Sequence, residues 1–384
     1  MPDVHAKLSA SSSKRWLTCP GSTRLEQGIP DTTSTFAEEG TAAHALSELK
    51  LMKHTGKINK IAYSRRYNKF KKENEYYSQA MDDYTDEYVD LVLEKYNAYP
   101  DGFIDLEKQV DFSRWVPEGF GTSDVVIISD GVLEVIDLKY GTGVPVSAEE
   151  NPQAMLYGLG AFNEYELLYD FETVKMTIVQ IRLGDISSYE ITTSDLLEWG
   201  DNYVKPRAEL AMSGEGECVP EEDACRFCKA KAICKARADK NLEIARHEFD
   251  EPVDKLSKED IAEILKQSPE IKKWLEHVSE YALEQARDHG EHFPGMKLVE
   301  GRSNRIIADK ERAAEILQEA GYEEIFKPRE LLAITKLEKA IGKDAFNDSL
   351  ADLIVKPPGK PALVKETDKR PEINSIQSAL DDFK

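Results

Sequence analysis

The sharpest hydrophobic pattern lies between positions 120 and 140. Residues 125–128 read VVII and residues 132–138 read VLEVIDL, two β-branched runs parted by Asp130-Gly131. An Asp-Gly pair between such runs predicts a hairpin with a two-residue turn. Apolar positions at helical spacing flank it. Residues 36–54 form one such stretch, with Ala43, Leu46, Leu49 and Leu51 supplying the apolar positions. Residues 81–99 form another, with Tyr84, Tyr88, Leu91 and Lys95 at helical steps, and Pro152 precedes a third. Strands are predicted over 104–112, 172–182 and 187–192, and a helix over 193–211. The class is therefore α/β.

The pattern changes after residue 238. Residues 241–253 read as a charged connector. Ser257-x-x-Asp260 is a capping box opening a helix. Pro269 precedes a long helix to Arg287 with Trp274, Val278, Tyr281 and Leu283 on one stripe, and Gly290 to Gly295 break it. Residues 296–307 suggest a hairpin in which Arg302 and Arg305 are candidate DNA contacts, with ordinary surface charges the plainer reading. Three short helices should follow, and PPGKP at 357–361 opens a polar tail expected to be extended.

Composition narrows the partners. The 384 residues carry 72 Asp and Glu against 50 Lys and Arg, a net charge of −22. That excludes general adhesion to nucleic acid, so DNA binding would need a local basic patch. No apolar run is long enough to span a bilayer and no signal-peptide pattern opens the chain, which predicts a cytoplasmic protein without a membrane partner. Against this acidic background, residues 57–72 hold seven Lys or Arg and no acid, interleaved with Tyr63, Tyr67 and Phe70. Arg65, Arg66, Lys69, Lys71 and Lys72 are candidate phosphate contacts, with the aromatics available for base stacking. A solvated loop anchored by those aromatics is the alternative.

The hairpin carries candidate chemistry. Antiparallel pairing brings Asp124, at the mouth of the first strand, beside Asp137, at the end of the second, with Lys139 on the same face as Asp137. Two facing carboxylates repel unless a proton or a hard divalent cation intervenes. An ordinary polar-ended surface hairpin remains the plain reading of Asp-x-Lys alone. Gln153 and Tyr157 share a helix face one turn apart. Glu107 alternates with apolar neighbours and could reach the site or form a cross-strand salt bridge, and Gln180 and Arg182 could follow a DNA backbone.

Four cysteines fall within seventeen positions, at 218, 225, 228 and 234, with a fifth at 19. In a chain without secretory signals this favours metal over disulfides. Zinc could take Cys218, Cys225, Cys228 and Cys234 in one local knuckle. An iron–sulfur cluster could take Cys19, Cys225, Cys228 and Cys234, leaving Cys218 spare.

These residues resemble a known family. Gly121-x-x-Asp124, then Asp137-x-Lys139 after a β-branched strand, then Gln153-x-x-x-Tyr157 is similar to the pattern of PD-(D/E)XK nucleases of the RecB-like branch. Gly40-x-x-x-His44 resembles that branch's N-terminal histidine, and the chain is also similar to a phage and prophage family that continues through its last third. The resemblance implies a restriction-endonuclease-like mixed sheet flanked by helices. It implies Mg²⁺ or Mn²⁺ on His44, Asp124, Asp137 and the Leu138 carbonyl. Lys139 would orient water or stabilise charge, while Gln153 and Tyr157 would organise the site. It also implies a 4Fe-4S "iron staple" on Cys19, Cys225, Cys228 and Cys234, with zinc as the alternative. The expected organisation is a nuclease domain over 1–240, a mainly helical accessory region over 241–355 and a tail over 356–384. The expected activity is metal-dependent DNA hydrolysis, preferentially exonucleolytic. Substrates would be single strands or free ends in phage recombination or replication, with a recombination or single-strand-binding protein as a further partner. A non-cleaving DNA-binding or assembly protein that keeps the fold is the alternative.

Overall fold

The computed structural model describes residues 6–30, 35–245 and 258–299. The chain divides into two units, Met1–His289 and Gly290–Lys384. The predicted 296–307 hairpin, with Arg302 and Arg305, the three short helices and the tail lie wholly or mostly outside the described residues, as do Ser257 and most of the 241–253 connector.

The first unit is a mixed α/β layer structure. Five strands form one sheet: β1 (Phe103–Asp111), β2 (Phe120–Ser129), β3 (Gly131–Leu138), β4 (Phe171–Gln180) and β5 (Asp185–Thr192), in the order β1-β2-β3-β4-β5. All neighbours are antiparallel except β3 and β4, which are parallel. The hairpin forms as its sequence predicts, with Ser129 opposite Val132. Gly131 makes the turn possible, because its φ of 77° is open to glycine and costly for other residues.

Helices cover both faces. On one lie α1 (Ser13–Thr18), α6 (Pro152–Tyr165), α7 (Thr193–Trp199) and α8 (Lys205–Ser213). Their buried Trp16, Leu156, Leu159, Leu196 and Ala208 pack with Val126, Leu133, Val174 and Met176. The other face is covered by α3 (Thr35–His54) and α5 (Gln79–Asn97), whose Leu51, Tyr88, Val89 and Val92 meet Ile104, Val125, Ile127 and Ile136. Strands buried on both sides read as continuous apolar runs, which is why VVII shows no alternation.

The basic stretch is a helix, α4 (Lys60–Glu73), capped by the Asn59 side chain accepting from the Ala62 amide. Three further helices are α2 (Ser22–Leu25), α9 (Glu222–Arg226) and α10 (Lys235–Ala245). They are followed by α11 (Lys258–Asp288).

Two expectations change. The helix predicted over 193–211 forms from Thr193 to Ser213, but with a π-type stretch, Gly200–Val204, inserted between α7 and α8. Gly200 lies there against the Trp115 indole, where an added Cβ would come within 2.8 Å of the ring nitrogen. Pro269 does not open a new helix but sits inside α11. Proline cannot donate to the Leu265 carbonyl, and the preceding Ser268 hydroxyl donates to it instead, at 3.3 Å.

Candidate metal centre and cysteine cluster

Asp124 stands where the ladders open. Pairing between β1 and β2 is regular on both sides of Glu107 and Asp124, yet those two do not pair. Between β2 and β3 it begins only at Val125–Ile136. In place of a backbone carbonyl, the Asp124 carboxylate accepts the Leu138 amide at 2.7 Å. Its other oxygen lies 3.0 Å from His44 Nδ1.

Glu107 faces this pair because β1 reverses its facing there. Ile104 and Leu106 pack on the α5 side, while Val110 packs on the α6 side. The reversal sits at Glu107, whose φ of 47° is left-handed and strained for a residue with a Cβ. Ligand atoms of His44, Glu107 and Asp124 all lie within 4.8 Å of one another, the one such trio among the described residues.

Asp137 borders the trio but is held by a different network. Lys139 Nζ is 2.8 Å from Asp137 Oδ2 and donates to Gln153 Oε1 at 3.0 Å. Gln153 Nε2 lies 3.3 Å from both Asp137 Oδ1 and the Tyr157 hydroxyl. Asn151 caps α6 and so fixes where Gln153 points. Gly121 lets the Tyr157 ring close on β2: an added Cβ would lie 2.8 Å from ring carbon Cε1. His44, Asp124, Asp137, Lys139, Gln153 and Tyr157 therefore reach one place.

The charges interact strongly. Burial lowers the His44 pKa, but Asp124, with help from Asp137 and Glu107, more than reverses this and raises it to about 9. Burial and the Asp124 charge raise Glu107 to about 7, against the pull of His44. Asp124 is lowered, since His44, the Leu138 amide and Lys139 outweigh its burial. Asp137 is raised by burial and by Asp124, despite Lys139. Lys139 is raised, because Asp137 and Asp124 overcome its burial, and it stays an ammonium at neutral pH. Tyr88 of α5 is buried, its hydroxyl has no hydrogen-bond partner, and Asp124, Asp137 and Glu107 oppose its ionisation after burial itself.

Sequence reasoning left Glu107 between site and salt bridge, and did not foresee Tyr88. Register could have found Glu107, because Leu106–Val125 and Lys108–Ser123 pair on either side of Glu107 and Asp124. Two other candidates turn away. Gln180 is buried and spans Val146 N and Val144 O at 2.7 and 2.8 Å. Arg182 pairs with Glu39 and lies over the Tyr140 ring. Neither is free to follow a DNA backbone. The α4 cations Arg65, Arg66, Lys69, Lys71 and Lys72 are exposed.

All five cysteines are free thiols and line one cavity. Cys19 caps α1, Cys225 is on α9, and Cys228 and Cys234 lie between α9 and α10. Gly21 permits the closure: its amide bonds the Glu217 carbonyl at 2.9 Å, and an added Cβ would meet Cys218 Sγ at 2.7 Å. Cys218 thus shares the cavity rather than standing apart. Burial raises Cys218 and Cys225, and burial with Glu26 pushes Cys228 up to about 12.

Residues 5–371 match the family described as "Protein of unknown function (DUF2800)". The chain belongs to the DUF2800 family. Among solved structures, this DUF2800 chain is similar to a "Putative exonuclease" from Eubacterium rectale, at 14% identity, 64% of this chain, 90% of that one and a TM-score of 0.35. It is also similar to SSO0001, at 14% identity, 56% of this chain, 95% of that one and a TM-score of 0.23. Likenesses this distant carry no argument about chemistry. No described helix of the DUF2800 chain is long and apolar enough to cross a membrane.

Proposed function

We propose that this DUF2800 protein is a divalent-metal-dependent nuclease that hydrolyses phosphodiester bonds in DNA. The observation carrying the reading is the meeting of His44, Glu107 and Asp124 within 4.8 Å, beside the Asp137–Lys139–Gln153 network. Crowded carboxylates with one imidazole suit Mg²⁺ or Mn²⁺. The unpartnered Tyr88 hydroxyl beside them also fits a centre that is polar by design. His44, Asp124 and Asp137, with the Leu138 carbonyl, would hold the ion, and Glu107 would join them. When bound, it neutralises phosphate charge and polarises the phosphoryl group.

The chain's own groups supply the rest. Lys139, kept as an ammonium by Asp137, donates to the attacking water or to a non-bridging phosphate oxygen. Gln153 accepts from Lys139 and donates to Asp137, which fixes both. Tyr157 closes the far side of Gln153. Water oxygen bonds to phosphorus, the bond from phosphorus to one sugar oxygen breaks, and the proton that the water sheds ends on that leaving oxygen. The pattern is that of a PD-(D/E)XK nuclease of the RecB-like branch, for which action at free ends is the preferred reading.

The cysteine cavity supports a metal staple. Thiols from both ends of the first 234 residues share it, and Cys19, Cys225, Cys228 and Cys234 would hold an iron–sulfur cluster. Bound there, it cross-links the N-terminal segment to the segment after α8.

The test is cleavage of end-labelled single- and double-stranded DNA in Mn²⁺, Mg²⁺ or chelator. Wild type should cleave only with metal. Lys139→Ala and Asp124→Ala should each lose about 10²–10³-fold, the scale for removing one group that stabilises developing charge. A wild type silent in both metals would leave a non-cleaving DNA-binding protein.

A further inference from the structure

A crevice between α3 and α4 opens one helical turn from His44. Glu48 follows His44 by four residues, about 6 Å along α3. From Glu48 the crevice runs between Leu49 and Met52 of α3 and Arg66, Lys69 and Phe70 of α4, enclosing about 410 Å³. Each helix offers the other an i, i+3, i+4 stripe, the spacing that ordinarily closes an apolar seam. Here it closes only in part: Tyr67 and Phe70 pack against the cluster of Ala42, Ala43, Leu46, Met81 and Tyr140, and the crevice stays open beside them. No α4 residue is fully buried, and Arg66 and Lys69 are exposed.

The lining divides by chemistry. Leu49 is buried, and Met52 and Phe70 are half-buried, giving an apolar floor with one aromatic face. Arg66 and Lys69 are cations above it. Glu48 lies within reach of the Arg66 charge, and Glu73, 3.7 Å from Lys69, lies at the end toward the start of α3. An aromatic face for a base, cations for a phosphate and carboxylates for exocyclic amines are the groups that one nucleotide needs. The volume is that of a small-ligand site. A base locked in a duplex could not turn into it.

We propose that the α3–α4 crevice takes one unstacked nucleotide of single-stranded DNA, next to the phosphodiester at the metal centre. It thereby selects single strands over duplex. The position relative to the cleaved bond rests on the nuclease reading, whereas nucleotide capture itself does not.

The experiment measures binding of a fluorescent mixed-sequence 12-mer, single-stranded or as blunt duplex, to the full chain in chelator, where no cleavage occurs. Wild type should bind the single strand at least tenfold tighter than duplex. Arg66→Ala/Lys69→Ala should lose tenfold or more, while Lys71→Ala/Lys72→Ala, which removes equal charge outside the crevice, should lose threefold or less. Ala45 is exposed and lines the crevice, so Ala45→Phe fills it without touching a charge or the core, and should also lose tenfold. Equal losses in the two charge-removal variants, an unaffected Ala45→Phe protein, or equal affinity for duplex and single strand would each overturn the proposal. Cleavage by wild type in Mn²⁺ is read separately. Binding of this kind without cleavage ends the nuclease reading alone, and cleavage with unchanged KM in Ala45→Phe ends the crevice alone.

Discussion

At the residue scale, the centre is defined by an excess of negative charge around one imidazole. Asp124, Glu107 and Asp137 hold the His44 proton to about pH 9, and Glu107 keeps its own to about 7. Both values lie above the ordinary 6.5 and 4.5. A raised folded-state value means that the folded chain holds more protons than the unfolded one, so stability falls as pH rises. The contribution of Glu107 is complete below pH 4.5 and is lost by about 7; that of His44 is complete below 6.5 and lost by about 9. The metal-free protein should therefore melt lower at pH 9 than at pH 6. His44→Gln should flatten the upper part of that slope. Mn²⁺ should restore the melting temperature at pH 9 more than at pH 6, because a cation must displace the same protons. Calorimetric melts with and without Mn²⁺ check this, and a Mn²⁺ gain independent of pH would remove His44 from the ligand set.

At the element scale, legibility followed the locality of the cause. The Asp130-Gly131 hairpin, the helix at Pro152 and the α3 helix carry their signals within a few residues, and each forms as read. Motif spacing brought Asp124, Asp137, Lys139, Gln153 and Tyr157 together because a hairpin and the next helix fix their separation. The reversal of β1 at Glu107 was not legible, since it depends on two ladders at once. Nor was the continuity of α11 through Pro269, which a single serine hydroxyl helps to allow. The cysteines were legible as a group, while their cavity depends on Gly21 meeting a segment about 200 positions away. That cavity also bears on the metal. Tetrahedral zinc with bonds of about 2.3 Å draws its sulfurs to about 3.8 Å from one another. Among the described residues no three cysteine sulfurs fall within 4.8 Å of one another, so zinc would have to draw its thiols together on binding. Anaerobically purified protein should contain iron and acid-labile sulfide and absorb visible light. Cys19→Ala and Cys228→Ala should bleach that absorbance and expose the segment around α1 and α2 to protease. Stoichiometric zinc without iron would decide for the knuckle.

At the scale of the whole molecule, the proposed function asks a chain of net charge −22 to act on a polyanion. Charges are screened beyond about 8 Å at physiological ionic strength, so a strand at α4 feels that helix far more than the remote acidic surface. Arg65, Arg66, Lys69, Lys71 and Lys72 are exposed along it, and Lys69 alone among them is paired, loosely, with Glu73 at 3.7 Å. If Arg65, Arg66 and Lys69 each neutralise one phosphate, the logarithm of single-strand affinity should fall against the logarithm of salt with a slope of about −2.1, at about −0.7 per contact. Arg66→Ala/Lys69→Ala should reduce the slope by about 1.4, and Lys71→Ala/Lys72→Ala should leave it nearly unchanged. The acidic remainder makes a second demand. In a protein of net positive charge, association accelerates as salt is removed. Here distant repulsion opposes local attraction, so the association rate should stay nearly flat below about 50 mM salt while dissociation slows. Stopped-flow anisotropy across a salt series separates the two rates. A slope shallower than −1 would mean that α4 is an ordinary solvated helix, and a steeply rising association rate would mean that attraction extends well beyond it.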